Sequence, residues 1–132
     1  MLEAIHKFHE VEPALRRFEQ EAAFVEGAEA EGWRVRSGSG SWLATRATSC
    51  LVEPRGGDKV LLAVSTDHQE VFVLSILSRA ERGTATELKV EGDLQIHASG
   101  GELELSAASG IRMLTPEQIE AATAEGFRRT WS

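Results

Sequence analysis

The sequence has little of what enzyme and secreted-protein signatures require. It contains one cysteine, Cys50, together with three prolines and no tyrosine. A single cysteine forms no internal disulfide, so nothing indicates maturation in an oxidising compartment. No GxSxG, HExxH or CxxC element occurs in the chain, and each of these would mark a nucleophile or a metal site. We therefore expect a non-enzymatic protein without catalytic residues, cofactor or metal.

Long apolar runs and an excess of positive charge are also missing. No run approaches the roughly 20 apolar residues that cross a bilayer. Residues 1–10 include charged side chains instead of the apolar core of a secretory signal. The 14 basic residues are outnumbered by 21 acidic ones, giving a net charge of −7, whereas nucleic-acid binders concentrate cations. We expect a cytoplasmic protein with neither a membrane nor a nucleic acid as partner.

What the chain does contain divides into four segments, beginning with a predicted helical arm over residues 1–30. Apolar residues recur at helical spacing on either side of Pro13, namely Leu2, Ile5 and Phe8, then Leu15, Phe18 and Ala22. Proline suits the first turn of a helix, so the pattern predicts two helices. Residues 22–26 are equally compatible with the first strand of the following sheet.

Residues 31–80 change to a period of two and predict a small β-barrel or sandwich. Four alternating or apolar segments are separated by turn-forming residues, and we expect strands at 33–36, 42–52, 59–64 and 70–78. Short strands linked by tight turns are typical of small antiparallel barrels and sandwiches.

Residues 81–114 carry an approximate repeat of short apolar pairs. The pairs are Leu88/Val90, Leu94/Ile96, Leu103/Leu105 and Ile111/Met113, with corner glycines Gly92, Gly100 and Gly110. Each unit is a very short strand with one apolar face and a corner of small residues.

These units are too small to remain ordered alone. Two buried side chains gain roughly 3–6 kcal/mol, while ordering each residue costs about 1–2 kcal/mol of backbone entropy. Stability requires a continuous core shared between units or between chains. We predict a short β-helix or β-prism stem completed as a homotrimer, with the four apolar pairs as its core; the alternative is a meander that extends the preceding sheet.

The last segment, residues 115–132, predicts a short helix. Thr115, Pro116 and Gln118 have the spacing of a capping box with proline at the first helical position. The expected helix runs through Ala124 and ends near Gly126.

Each candidate for chemistry has a simpler structural explanation. Cys50 lies in an apolar segment without a neighbouring histidine, which is typical of a core residue. His6 and His9 provide only two imidazoles, an incomplete metal site. His68 belongs to a turn, and His97 alternates outward if Leu94 and Ile96 point inward. Only an axial His97 would bring three imidazoles together in a trimer.

The acidic and aromatic side chains follow the same logic. Five carboxylates fall in the repeat, and two of them alternate with leucines and so form a solvated face: Glu87, Glu91, Asp93, Glu102 and Glu104. Trp33 and Trp42 would be stacking platforms if exposed, although core packing is the simpler role.

Four stretches together resemble a known family: residues 46–54, 57–63, 71–77 and 90–94. The likeness is to a family of unassigned function that is encoded in type VI secretion gene clusters beside VgrG-type and PAAR-type spike proteins. It covers roughly residues 32–113. The N-terminal arm and the short stem depart from the family's pattern.

The resemblance implies an OB-like barrel followed by a β-helical stem, in which three chains form one rigid needle. It also implies a structural or adaptor role beside VgrG-type or PAAR-type proteins or their effectors, and it leaves open whether the chain is exported with the contractile apparatus. The competing hypothesis is a monomeric OB-like module that binds a peptide or small ligand. A hydrolytic enzyme is a third, minor alternative.

Overall fold

A computed structural model describes residues 15–83 and 85–123 of the chain. The chain divides into two units, residues 1–94 and 95–132. The described part of the first unit contains five strands, whereas residues 95–122 of the second contain neither a helix nor a strand. The protein is therefore mainly β, as its sequence predicts.

The five strands form one sheet that closes on itself. They are β1 (Phe18–Glu29), β2 (Gly32–Ser37), β3 (Gly40–Arg46), β4 (Lys59–Ser65) and β5 (Val71–Ser78). Their spatial order is β1-β2-β3-β5-β4, and β4 pairs back onto β1. All neighbours are antiparallel except β3 and β5, which pair in parallel over Thr45 and Arg46 alone. We refer to this element as the closed sheet.

Strand β1 corrects the prediction of a helical arm over residues 1–30. Residues 18–29 form a strand, so the alternative placed at residues 22–26 is nearer the truth. Ala23 and Val25 are buried while their neighbours are exposed, which is the period of two expected of a strand. Phe18 and Ala22 have the spacing of one face of a helix, which led to the helical prediction. The hydrogen bonds of β1 with both β2 and β4 favour the strand instead. Residues 1–14, with His6 and His9, lie outside the described residues.

A bulge in β1 lets the strand serve two partners. Residues 18–24 pair with β4, and residues 24–29 pair with β2. The register with β2 shifts by one residue between Val25 and Gly27, so Glu26 is the extra residue. Bulges bend a strand and increase its twist. This bend carries β1 from one neighbour to the other and allows the sheet to close.

Small aliphatic side chains fill the interior of the closed sheet. The largest fully buried apolar residues are Leu62, Val35, Val60 and Val73. Cys50 is buried in the same cluster, which confirms its prediction as a core residue. Trp33 and Trp42 are half-buried and pack against this cluster from its margin. Alternating inward positions of this size are what a narrow barrel interior accommodates.

The apolar pairs predicted to form a stem core are not buried within one chain, and a core shared between chains stays a prediction. Val90 is half-buried, and the other seven side chains are exposed: Leu88, Leu94, Ile96, Leu103, Leu105, Ile111 and Met113. The last of these, Met113, is 70% exposed. The physical reason is that residues 95–122 form no strands, so within this chain they create no second apolar face to cover the pairs.

Two other sequence predictions are corrected. The strand expected over 42–52 ends at Arg46, because the Cys50 amide donates to the Ala47 carbonyl in a turn and the chain then leaves the sheet. No helix forms between 115 and 123, although the Glu117 amide donates to Thr115 Oγ1 at 3.3 Å, as at a helix start. Residues 124–132 lie outside the described part. Among residues 15–83 and 85–123, no helix is long and apolar enough to cross a membrane.

A substitution at Gly32 tests whether the close approach of β2 and β3 at this position is needed for the closed sheet to be stable. A Cβ at this position would lie against the carbonyl oxygen of Ala44 on β3, so Gly32→Ala should force β2 and β3 apart. We expect a loss of about 1–3 kcal/mol in the free energy of unfolding, measured by urea denaturation.

The matched control is Gly38→Ala in the β2–β3 turn, where an added Cβ meets no atom within 4 Å. Its effect should stay within about 0.5 kcal/mol. Equal losses in the two variants would show that the approach of Gly32 to Ala44 is not limiting.

Candidate functional site

The apolar pairs of the repeat contribute seven of the fourteen large hydrophobic side chains that are exposed among the described residues. Seven of their eight side chains, from Leu88 to Met113, are between 56% and 70% exposed, and only Val90 is half-buried. Each leucine or isoleucine left in water forgoes roughly 1.5–3 kcal/mol of burial energy. Large contiguous exposed apolar surfaces mark interaction sites in soluble proteins. We call residues 85–114, which carry these pairs, the apolar tail.

Bends divide the apolar tail at regular positions. They lie at residues 91–92, 99–101 and 108–109, and between and after them run the unbent segments 93–98, 102–107 and 110–115. Gly92 adopts a φ of 87°, a left-handed conformation that glycine enters without steric cost. Gly100 lies in the second bend and Gly110 directly follows the third. Each unbent segment therefore contains one apolar pair.

Leu88, the first residue of the apolar pairs, is attached to the loop between β3 and β4. Val52 and Leu88 form an isolated antiparallel bridge, and the Lys89 amide donates to the Leu51 carbonyl at 2.8 Å. Arg46 Nη1 donates to the same Leu51 carbonyl at 2.8 Å. These contacts hold residues 88–89 beside the end of β3.

A buried ion pair secures the loop that receives Leu88. Arg79 Nη1 lies 2.7 Å from Asp58 Oδ2, and Asp58 is only 2% exposed. The same carboxylate oxygen accepts the Arg55 amide at 2.8 Å. The other guanidinium nitrogen, Nη2, reaches the Glu53 carbonyl at 3.5 Å. The loop between β3 and β4 is thus fastened to the residue that follows β5.

Removing the cation of this pair should destabilise the protein strongly. Arg79→Met leaves the Asp58 carboxylate buried without its charge partner, so we expect a loss of about 3 kcal/mol in unfolding free energy, measured by chemical denaturation.

The double variant Asp58→Asn/Arg79→Met, which removes both charges, should recover part of that loss. The exposed pair of Arg36 and Glu26, 2.9 Å apart, provides the control, because breaking it with Arg36→Met should cost less than about 1 kcal/mol. A similar small cost for Arg79→Met would contradict the structural role of the buried pair.

An open groove runs beside the attachment point of the apolar tail. One wall is formed by Trp33, Arg46 and Leu51 of the closed sheet and its loop, and the other by Lys89, Val90 and Asp93. Its volume is about 670 Å³, within the range of about 300–1,000 Å³ found for ligand sites. We call it the exit groove. It combines an indole, exposed aliphatic surface and charges of both signs.

At the β4–β5 turn, a hydrogen-bonded carboxylate organises the chain. Asp67 Oδ1 accepts the Ser65 hydroxyl at 2.7 Å and the Gln69 amide at 3.1 Å, while Oδ2 lies 2.8 Å from Arg16 Nε. The hydrogen bond from Ser65, followed by that from Arg16, lowers the pKa of Asp67 from 3.8 to about 2. This turn therefore retains a charged carboxylate well into acid.

The low pKa of Asp67 predicts where its contribution to stability disappears. Because the folded pKa lies below the unfolded one, the contribution is complete above about pH 4 and is lost as pH falls through about 2. An NMR titration of the Asp67 carboxyl carbon should show a midpoint near 2.

Ser65→Ala should move that midpoint toward 3.8, because the Ser65 hydroxyl is the largest cause of the shift. Arg16→Met should move it in the same direction by a smaller amount. A midpoint already near 3.8 in the unaltered protein would show that this hydrogen-bonded turn does not persist in solution.

The cysteine and the histidines among the described residues lie apart from one another in the chain. Cys50 is buried, with its Sγ 3.5 Å from the Val52 carbonyl oxygen. His68 is exposed and stacks on Trp42 with ring centroids 5.9 Å apart. Across residues 15–83 and 85–123, no group of three or more His, Cys, Asp or Glu side chains is arranged to hold a metal ion. His97, Glu102 and Glu104 are all exposed.

Asp58 and Arg79 form a structural ion pair beside the candidate site that the sequence patterns missed. Both residues lie just outside the predicted strands 59–64 and 70–78, and no sequence pattern predicts that they pair. Asp58 stands between a glycine turn and an apolar strand, a position where a carboxylate often binds nearby amides. Its partner is 21 residues away, so no local pattern identifies Arg79. The exit groove likewise joins residues 33, 46 and 89, which only folding brings together.

Comparison with known proteins gives one informative match. A family model described as a protein of unknown function, DUF3540, matches residues 23–128. The match includes all or part of every strand of the closed sheet and the entire apolar tail. No curated protein and no solved structure matches the chain.

Proposed function

This chain belongs to the DUF3540 family of unknown function, and we propose that it is a non-enzymatic, spike-like component of a type VI contractile secretion system. In this proposal it works as a homotrimer, either as a structural part or as an adaptor for VgrG-type or PAAR-type proteins or their effectors. It would be made in the cytoplasm and exported with the apparatus.

The exposure of the apolar tail is the observation that carries the proposal. Seven exposed apolar side chains, ending with Met113, recur at intervals set by bends and form a surface that the chain by itself leaves in water. Burying them would contribute roughly 10–20 kcal/mol per chain. Three copies of the tail, each turning at its glycines, supply the shared core that such short segments need. A rigid stem of this kind acts through its shape and requires no catalytic group.

The closed sheet supports the same assignment. Its five strands, their order and the bent β1 that pairs with two neighbours agree with an OB-type barrel. An OB-type barrel followed by a stem is the layout implied by the resemblance at residues 46–54, 57–63, 71–77 and 90–94. The contractile apparatus enters the proposal through that resemblance alone.

Charge on the apolar tail is compatible with burial of one face only. Glu102 and Glu104 alternate with Leu103 and Leu105, and adjacent residues of a strand point to opposite sides. Residues 85–123 carry seven acidic and two basic side chains. Outward carboxylates keep such a stem soluble and discourage edge-to-edge aggregation. The leucines would then form the axis and the acids the outer surface.

The oligomeric state after a charge is placed on the predicted axis tests the proposal. Leu94→Asp should convert a trimer of about 43 kDa into monomers of 14.4 kDa, because three carboxylates would be buried together. Sedimentation equilibrium measures both masses directly.

Gln95→Asp is the matched control, since it adds the same charge one position along and therefore on the outer face. Its trimer should persist. A parent protein of 14.4 kDa at every concentration, or a Leu94→Asp variant that remains trimeric, would contradict the stem.

The exit groove favours one alternative function. Its volume and its Trp33 indole suit a peptide or small ligand bound by a monomeric OB-type module, whose β2–β3 face commonly binds ligands. In that case the protein sediments as a monomer.

A further inference from the structure

We propose that the exit groove of each copy receives the start of the apolar tail, residues 85–94, from a neighbouring copy. This inference rests on the proposed trimer and identifies where its contacts begin. The occupant is thus a second copy of this chain, and the groove joins the closed sheet of one protomer to the stem of the next.

Continuity between the groove and the predicted stem supports this occupant. Val90 belongs to the first apolar pair and also lines the exit groove. Leu88, its companion, is held at the groove by the bridge to Val52 yet remains 66% exposed. A neighbour that covers Leu88 and Val90 must therefore stand at the mouth of the groove.

The opposite wall offers suitable apolar surface. Trp33 is half-buried, and Leu51 remains exposed although its carbonyl is already bonded to Arg46 and Lys89. An indole beside an exposed leucine is the kind of surface that anchors a protein interface. A short extended segment with two apolar side chains fits such a wall better than a bulky domain does.

Charge limits how this occupant can be oriented. On the wall formed by the closed sheet and its loop the charged lining residue is Arg46, whereas Lys89, Glu91 and Asp93 line the other wall. The incoming copy carries Glu87, Glu91 and Asp93 against Lys89 alone in residues 85–94. Its carboxylates therefore gain favourable electrostatics where they face Arg46 and not the acidic residues of the opposite wall.

Two variants with the same substitution test the groove. Leu51→Asp changes an exposed groove residue and should weaken trimer association at least tenfold in sedimentation equilibrium. Leu77→Asp changes an exposed leucine at the end of β5, outside the groove lining, and should leave association within twofold of the parent. Both positions are accessible to solvent, so both variants are expected to fold.

A second measurement follows Trp33 directly. In a Trp42→Phe/Trp131→Phe background Trp33 is the sole indole, and acrylamide quenching should fall at least twofold when the protein concentration is raised from monomer to trimer. If a trimer forms while Leu51→Asp behaves like Leu77→Asp and quenching is unchanged, the groove assignment is overturned and the proposed stem stands. A monomer at all concentrations overturns both.

Discussion

The buried pair between Asp58 and Arg79 is the interaction on which the arrangement of the site depends. Asp58 directly precedes β4 and Arg79 directly follows β5, so their contact ties together the two ends of one hairpin. Through the Arg55 amide and the Glu53 carbonyl the pair also holds the loop after β3. That loop supplies Leu51 and Val52, to which residues 88 and 89 are attached. A buried charge pair is costly to form but restrictive in geometry, which is what a fixed exit point requires.

The closed sheet and the apolar tail differ in how they satisfy the hydrophobic effect. The closed sheet buries its small aliphatic side chains within one chain, and its bulged first strand removes a free edge by pairing on both sides. The apolar tail instead leaves seven apolar side chains exposed, from Leu88 to Met113. In the proposed trimer, the closed sheet is the platform and the tail is the segment that a partner surface covers.

Sequence patterns anticipated much of the closed sheet and missed its beginning. Strands β2, β4 and β5 lie within a few residues of their predicted places, because alternation and turn residues are local properties. The sequence favours a helix where β1 forms, because Phe18 and Ala22 have the four-residue spacing of a helical face. The burial of Ala23 and Val25 instead follows the two-residue period of a strand. Pairing with both β2 and β4 settled the outcome. Strand β3 ends early, at Arg46, because the Cys50 amide donates to the Ala47 carbonyl in a turn that alternation of residues does not predict.

From the sequence by itself came the mainly β class, the core position of Cys50 and the series of apolar pairs with their glycine corners, because each depends on neighbouring residues. The tertiary structure alone decided that residues 18–29 are a strand, that Asp58 meets Arg79, and that Trp33, Arg46 and Lys89 line one groove. It also decided that the apolar pairs are left uncovered within one chain. These outcomes depend on contacts between residues far apart in the chain. Such contacts arise only when the sheet closes, since closure sets which distant side chains share a space.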